Sequence, residues 1–251
     1  MSVTYPDVVR TGPDGAATDV VPTGAAPTDV VPTGVVPTDA AHPAGTRPGA
    51  RTGAPVPTAA GWAALLTEAA EHCTDVLAEA PRAEDWTRPA HGLDWSCHAT
   101  LDHLALGLIG YAGLLTARPT DRYIALFASL DPEAPLPARL EGIRIAAALL
   151  AATVRGADPG DRAWHPWGHS DAAGFAAMGL VEILVHTDDL ARGLGLARRL
   201  PDELCAPALA RLFPDAPAGH SPAGTLLWAT GRGTLPGHGR RLEWAWDGTV
   251  R

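Results

Sequence analysis

The sequence predicts a mainly α protein: a four-helix bundle followed by a short C-terminal α+β extension and preceded by a disordered tail. Three observations carry this. Four long segments repeat apolar side chains at helical spacing, a proline-rich decapeptide recurs ahead of them, and the last residues alternate apolar and polar side chains. The expected boundaries are a Pro/Thr/Val repeat tail at 1–57, the bundle at 58–198 and the C-terminal region at 199–251.

The tail contains TDVVPTGAAP (18–27) followed at once by TDVVPTGVVP (28–37), with a decayed third copy from Thr38. Prolines every few positions break a helix and interrupt a strand ladder. Val and Ala alone bury too little area to offset chain ordering, so a disordered, polyproline-leaning linker is expected, with a docking peptide as the alternative. Order begins near Thr58. Trp62, Leu65, Leu66, Ala69, Cys73, Val76 and Leu77 trace one helical face and Pro81 ends the segment. Ser96 is placed to cap a second helix running to about Ala117. Leu140, Ile143, Ala147, Leu150 and Val154 mark a third helix over Pro137 to Arg155, with proline tolerated in its first turn. The fourth runs from about Asp171 to Arg192 and is closed by Gly193 and Gly195. Two shorter helices follow at Pro201 to Phe213 and Ser221 to Thr230. RLEWAWDG then alternates like a strand, and GRGTLPGHG gives a weak hairpin cue for its partner.

Composition narrows the function. Net charge is −9 and the pI near 5.5, against a nucleic-acid partner or an anionic membrane surface. All 19 basic residues are arginine, a bias of GC-rich genomes such as those of actinobacteria. The cysteines Cys73, Cys97 and Cys205 are scattered, which suits neither a disulfide scaffold nor a thiolate metal site. The amino terminus lacks the basic and apolar regions of a secretory signal, and the uncharged run Ile145 to Val154 is far too short to span a bilayer. A cytoplasmic protein without a membrane partner is the expectation.

The chemistry concentrates in VEILVHTDDLARGLG (181–195). Residues four apart on a helix share a face, so Glu182 and His186 point the same way and Asp189 returns to that face. Burying a lone carboxylate costs several kcal/mol unless a partner offsets it. One reading is an ordinary i,i+4 ion pair at a half-exposed edge. The other is a metal ion, which needs a third ligand. LDHLALGLIG offers His103 in the interior of the second helix, and His103, Glu182 and His186 would form a His₂Glu set with an open coordination position.

WSCHATLDHL (95–104), EILVHTDDL (182–190) and LLWATGR (226–232) together resemble the DinB-like superfamily, and within it the mycothiol-dependent maleylpyruvate isomerase branch, over about Thr58 to Arg232. The resemblance implies a metal-binding four-helix bundle with a variable C-terminal portion. It also implies zinc ligands at His103, Glu182 and His186, a supporting aspartate at Asp189, and mycothiol as a thiol cofactor or transferred group. Asp188 is expected to be solvated. Arg232 is a candidate for substrate or thiol binding, or an arginine complementing a helix C-terminus. WHPWGH (164–169) is either part of a pocket mouth or a packed loop, and His98 lies off the His103 face.

The sequence thus predicts a protein holding zinc or another divalent metal that acts with a low-molecular-weight thiol on a small electrophile, as an isomerase or transferase. A non-catalytic metal-binding or interaction module and a thiol-independent metal-dependent hydrolase are the alternatives. No side chain is assigned as general acid or base.

Overall fold

The computed structural model describes residues 56–80, 83–126, 128–196 and 199–250, so the expected tail lies almost wholly outside the described residues. The four long helices fall where the apolar period and caps place them: α1 Ala59–Ala78, α2 Cys97–Ala117, α3 Leu136–Gly156 and α4 Ala172–Gly193. Thr58, Ser96 and Asp171 each accept a hydrogen bond from a first-turn N–H, at 3.1, 3.1 and 2.8 Å. Such a cap contributes about 1 kcal/mol. Helix α3 has no side-chain cap but carries proline in its first turn, where a missing N–H costs nothing. A short 3-10 turn at Ala83–Thr87, which helical periodicity does not signal, leads from α1 toward α2.

Helices α1 and α2 each pack against both α3 and α4, and α5 (Asp202–Leu212) and α6 (Pro222–Ala229) continue from α4. The fold is a DinB-like helical bundle. Helix α4 is its hub and is buried on nearly every side, from Gly174 to Ala191. Gly179 shows how tightly: a Cβ there would meet Leu150 at 2.5 Å, Leu66 at 3.2 Å and Leu108 at 3.3 Å, one leucine from each of the other three helices. This all-round burial corrects the expectation for Asp188. It is 5% exposed and pairs with Arg192 at 2.9 Å, because α5 covers the side of α4 that a simple amphipathic stripe would leave wet.

Helix α2 is, by length and composition, apolar enough to cross a membrane, more so than the Ile145 to Val154 run. Leu101, Leu104, Leu108 and Leu114 are nonetheless fully buried in the bundle core.

The C-terminal region departs from the expected α+β form. Among the described residues there is no strand, and the hairpin cue makes a single bridge between Leu235 and His238. With no neighbouring edge to pair with, the RLEWAWDG segment packs on the helices instead. Asp247 N–H donates to the Leu212 carbonyl at 2.8 Å, and Ser170 Oγ donates to the Gly248 carbonyl at 2.7 Å. Aromatic burial replaces the ladder: Trp246 packs 4.6 Å from Trp167 and 5.6 Å from His165, while Trp244 lies 6.4 Å from Phe213. The WHPWGH segment is thereby a packed loop, with His165 inside the aromatic cluster.

Candidate metal centre

Two helices build the site. Helix α4 presents Glu182, His186 and Asp189 in one line, and α2 brings His103 across from it. The loop that leads into α2 is fixed to α4 by backbone. His91 N–H donates to the Asp189 carbonyl at 2.8 Å, and at Gly193 a Cβ would lie 2.7 Å from the Pro89 carbonyl oxygen, so only glycine lets the loop approach. That loop carries Trp95, whose ring packs 4.9 Å from His103.

His103, Glu182 and His186 offer three ligand atoms that all lie within 4.8 Å of one another. Glu182 Oε2 is 3.1 Å from His186 Nε2 and 3.8 Å from His103 Nε2. Ligands about 2.0–2.2 Å from a tetrahedral metal stand roughly 3.4 Å apart, between those two distances. The imidazole rings of His103 and His186 meet edge to face at 5.3 Å between centroids. Two imidazole nitrogens and one carboxylate oxygen are also the donor types of open catalytic zinc sites. The residues therefore fit a divalent metal. His103, at 24% side-chain exposure, would be the solvent-facing ligand, and His186, at 6%, the inner one.

Charge around the triad is paired outward. His186 Nδ1 donates to Asp189 Oδ2 at 3.1 Å, which leaves Nε2 facing Glu182 and His103. Burial works against a charged His186, but the Asp189 and Glu182 carboxylates outweigh it and raise its pKa to about 9. Burial would likewise raise Glu182, yet His103 and His186 hold its carboxyl well below the usual carboxylate range. Asp189 is fully buried, and burial favours its neutral form, but His186 and Arg232 keep its pKa below the ordinary value. Without metal, the proton that His186 retains compensates the carboxylates beside it, and a divalent cation would take over that role.

Arg232 lies beyond the end of α6 and turns back toward α4. Its Nη2 and Nε donate to Asp189 at 2.9 and 3.2 Å, and Nη1 donates to the Thr230 carbonyl at 2.9 Å. Each guanidinium nitrogen thus already has a partner within the protein, and the cation also lies 6.0 Å from the Trp244 ring. The geometry makes Arg232 the counter-charge of Asp189; substrate or thiol binding would have to use its remaining N–H groups.

One contact is not signalled by the sequence motifs. Tyr111, on α2, donates its hydroxyl to Glu182 Oε1 at 3.0 Å and is 6% exposed. Burial first, and then the Glu182 charge, raise the phenol well above its ordinary value, so it stays protonated. Its one cue is a hydroxyl within the apolar stretch of α2 that follows His103. The cysteines take no part: burial pushes Cys73 and Cys97 to about 11 and Cys205 to about 12, leaving all three as core thiols.

A family model described as the mycothiol maleylpyruvate isomerase N-terminal domain matches residues 66–191, half of the 251-residue chain. The match contains His103, Tyr111, Glu182, His186 and Asp189 and stops before α5, α6 and Arg232. No curated protein and no solved structure gives a significant match.

Proposed function

The chain belongs to the mycothiol maleylpyruvate isomerase N-terminal domain family, and from that premise we propose that His103, Glu182 and His186 hold zinc for a thiol-dependent reaction on a small electrophile. The observation that carries this is the convergence of three ligand atoms of zinc type, from two helices, inside a bundle that otherwise buries apolar side chains. Zinc in such a set supplies a Lewis acid with an open position, lowering the pKa of a thiol or of water.

The chain's own groups do the rest. Asp189 holds the Nδ1 proton of His186, which fixes the tautomer and turns the Nε2 lone pair inward. Arg232 keeps Asp189 ionised. Glu182 brings one negative charge, so the loaded centre carries a net positive charge suited to an anionic thiolate. Trp95 covers one side of His103 and limits water there.

Mycothiol is the thiol that family membership favours, and isomerisation or transfer is the reaction class. The test is a turnover assay of zinc-loaded protein with mycothiol and a panel of small electrophiles, including maleylpyruvate. Thiol-dependent turnover that His186→Ala abolishes is the expected result. Zinc binding without any thiol-dependent turnover would favour a non-catalytic module, and ester turnover without thiol would favour a hydrolase.

A further inference from the structure

Glu182 has two carboxylate oxygens, and they face different partners. Oε2 lies 3.1 Å from His186 Nε2 and 3.8 Å from His103 Nε2, whereas Oε1 accepts the Tyr111 hydroxyl at 3.0 Å. Left to itself, a carboxylate beside a divalent cation can turn and bind through one oxygen or both. We propose that Tyr111 is a positioning residue that holds Glu182 to one-oxygen ligation, and so keeps open the coordination position that substrate or thiol would use. This rests on the metal reading above.

The packing supports it. Tyr111 comes from the same helix as His103, eight residues further on, so one rigid element sets both the ligand and the group that orients its partner. Its ring lies 6.1 Å from Phe175 and 6.1 Å from His165, which fixes the direction of the hydroxyl by burial as well as by the hydrogen bond. Phe175 belongs to α4, the helix of Glu182, so donor and acceptor are seated on packed neighbours. A buried phenol would need an acceptor in any case, so its role is read from the metal and not from stability alone.

The experiment compares full-length wild type with Tyr111→Phe, which removes the hydroxyl and keeps the ring. Zinc affinity is measured by competition with a chromophoric chelator, and the coordination mode by the visible spectrum of the cobalt(II)-loaded proteins. Tyr111→Phe is expected to change the cobalt band intensities, as Glu182 turns to bind through both oxygens, and to shift zinc affinity by roughly tenfold or more. A wild type that binds zinc beside a variant with the same affinity and cobalt spectrum would overturn the role of Tyr111 alone. A wild type that binds no metal would overturn the metal reading, and this inference with it. Thermal melting of both proteins controls for folding. If Tyr111→Phe does not fold, uniform 3-fluorotyrosine labelling, which strengthens the phenol as a donor, takes its place; a shifted cobalt spectrum supports the proposal and an unchanged one overturns it.

Discussion

Helix α2 carries two histidines five residues apart, His98 and His103, and the bundle gives them neighbours of opposite sign. His103 faces the Glu182 carboxylate and a second imidazole. His98 faces Arg139, whose Nη1 donates to His98 Nδ1, with Trp86 5.9 Å from its ring. Burial and the Arg139 charge both push His98 below its ordinary pKa. Arg139 is itself 5% exposed, and its Nε has no hydrogen-bond partner among the described residues. One lone pair of His98 is therefore already taken, and a cation arriving there would meet a fixed positive charge. The difference teaches that, of two histidines on one helix, the one that faces a carboxylate from another helix is the one placed to receive a cation.

Loss of the His103 imidazole should matter most. His103→Ala should lower zinc affinity more than about a hundredfold, beyond the loss for a supporting residue, while His98→Ala leaves it unchanged. Chelator competition on the two variants checks this.

A third histidine sharpens the point through pH. Burial lowers His165 from 6.5 to about 4, with Glu182 opposing it only in part. Between those values the unfolded chain binds a proton that the folded chain refuses. The stability due to neutral His165 is therefore complete above about pH 6.5 and is lost as pH falls toward 4. His165→Gln should remove a loss on the order of 3 kcal/mol. Denaturant midpoints of both proteins from pH 4 to pH 7 measure it, and parallel curves would contradict the assignment.

Smaller still is the effect expected one step from the metal. Asp189→Asn keeps a hydrogen-bonding group beside His186 but removes the charge shared with Arg232. Zinc affinity should fall roughly ten- to a hundredfold, with the four-helix core intact by circular dichroism. Smallest is His98→Gln, which keeps an acceptor for Arg139 and should shift stability by no more than about 0.5 kcal/mol in a thermal melt.

The long helices were legible because their signals are local. Apolar spacing and the caps at Thr58, Ser96 and Asp171 lie within a few residues of the boundaries they set. His103, Glu182 and His186 were legible because polar groups inside apolar helices need partners. What escaped was set by tertiary contact. Asp188 read as solvated because nothing local says that α5 will cover that side of α4. The period-two pattern at Leu242, Trp244 and Trp246 is real, but a strand needs an edge, and the tryptophans found Trp167 and Phe213 instead. Tyr111 is not singled out by the sequence, because the acceptor for its hydroxyl lies 71 residues away.

Zinc content by elemental analysis, on untagged protein, of wild type beside Glu182→Ala tests the metal centre directly. Near-stoichiometric zinc is expected in the wild type, and its loss in the variant. Absence of zinc from both after incubation with the metal would return Glu182 and His186 to an ordinary ion pair and contradict the metal centre.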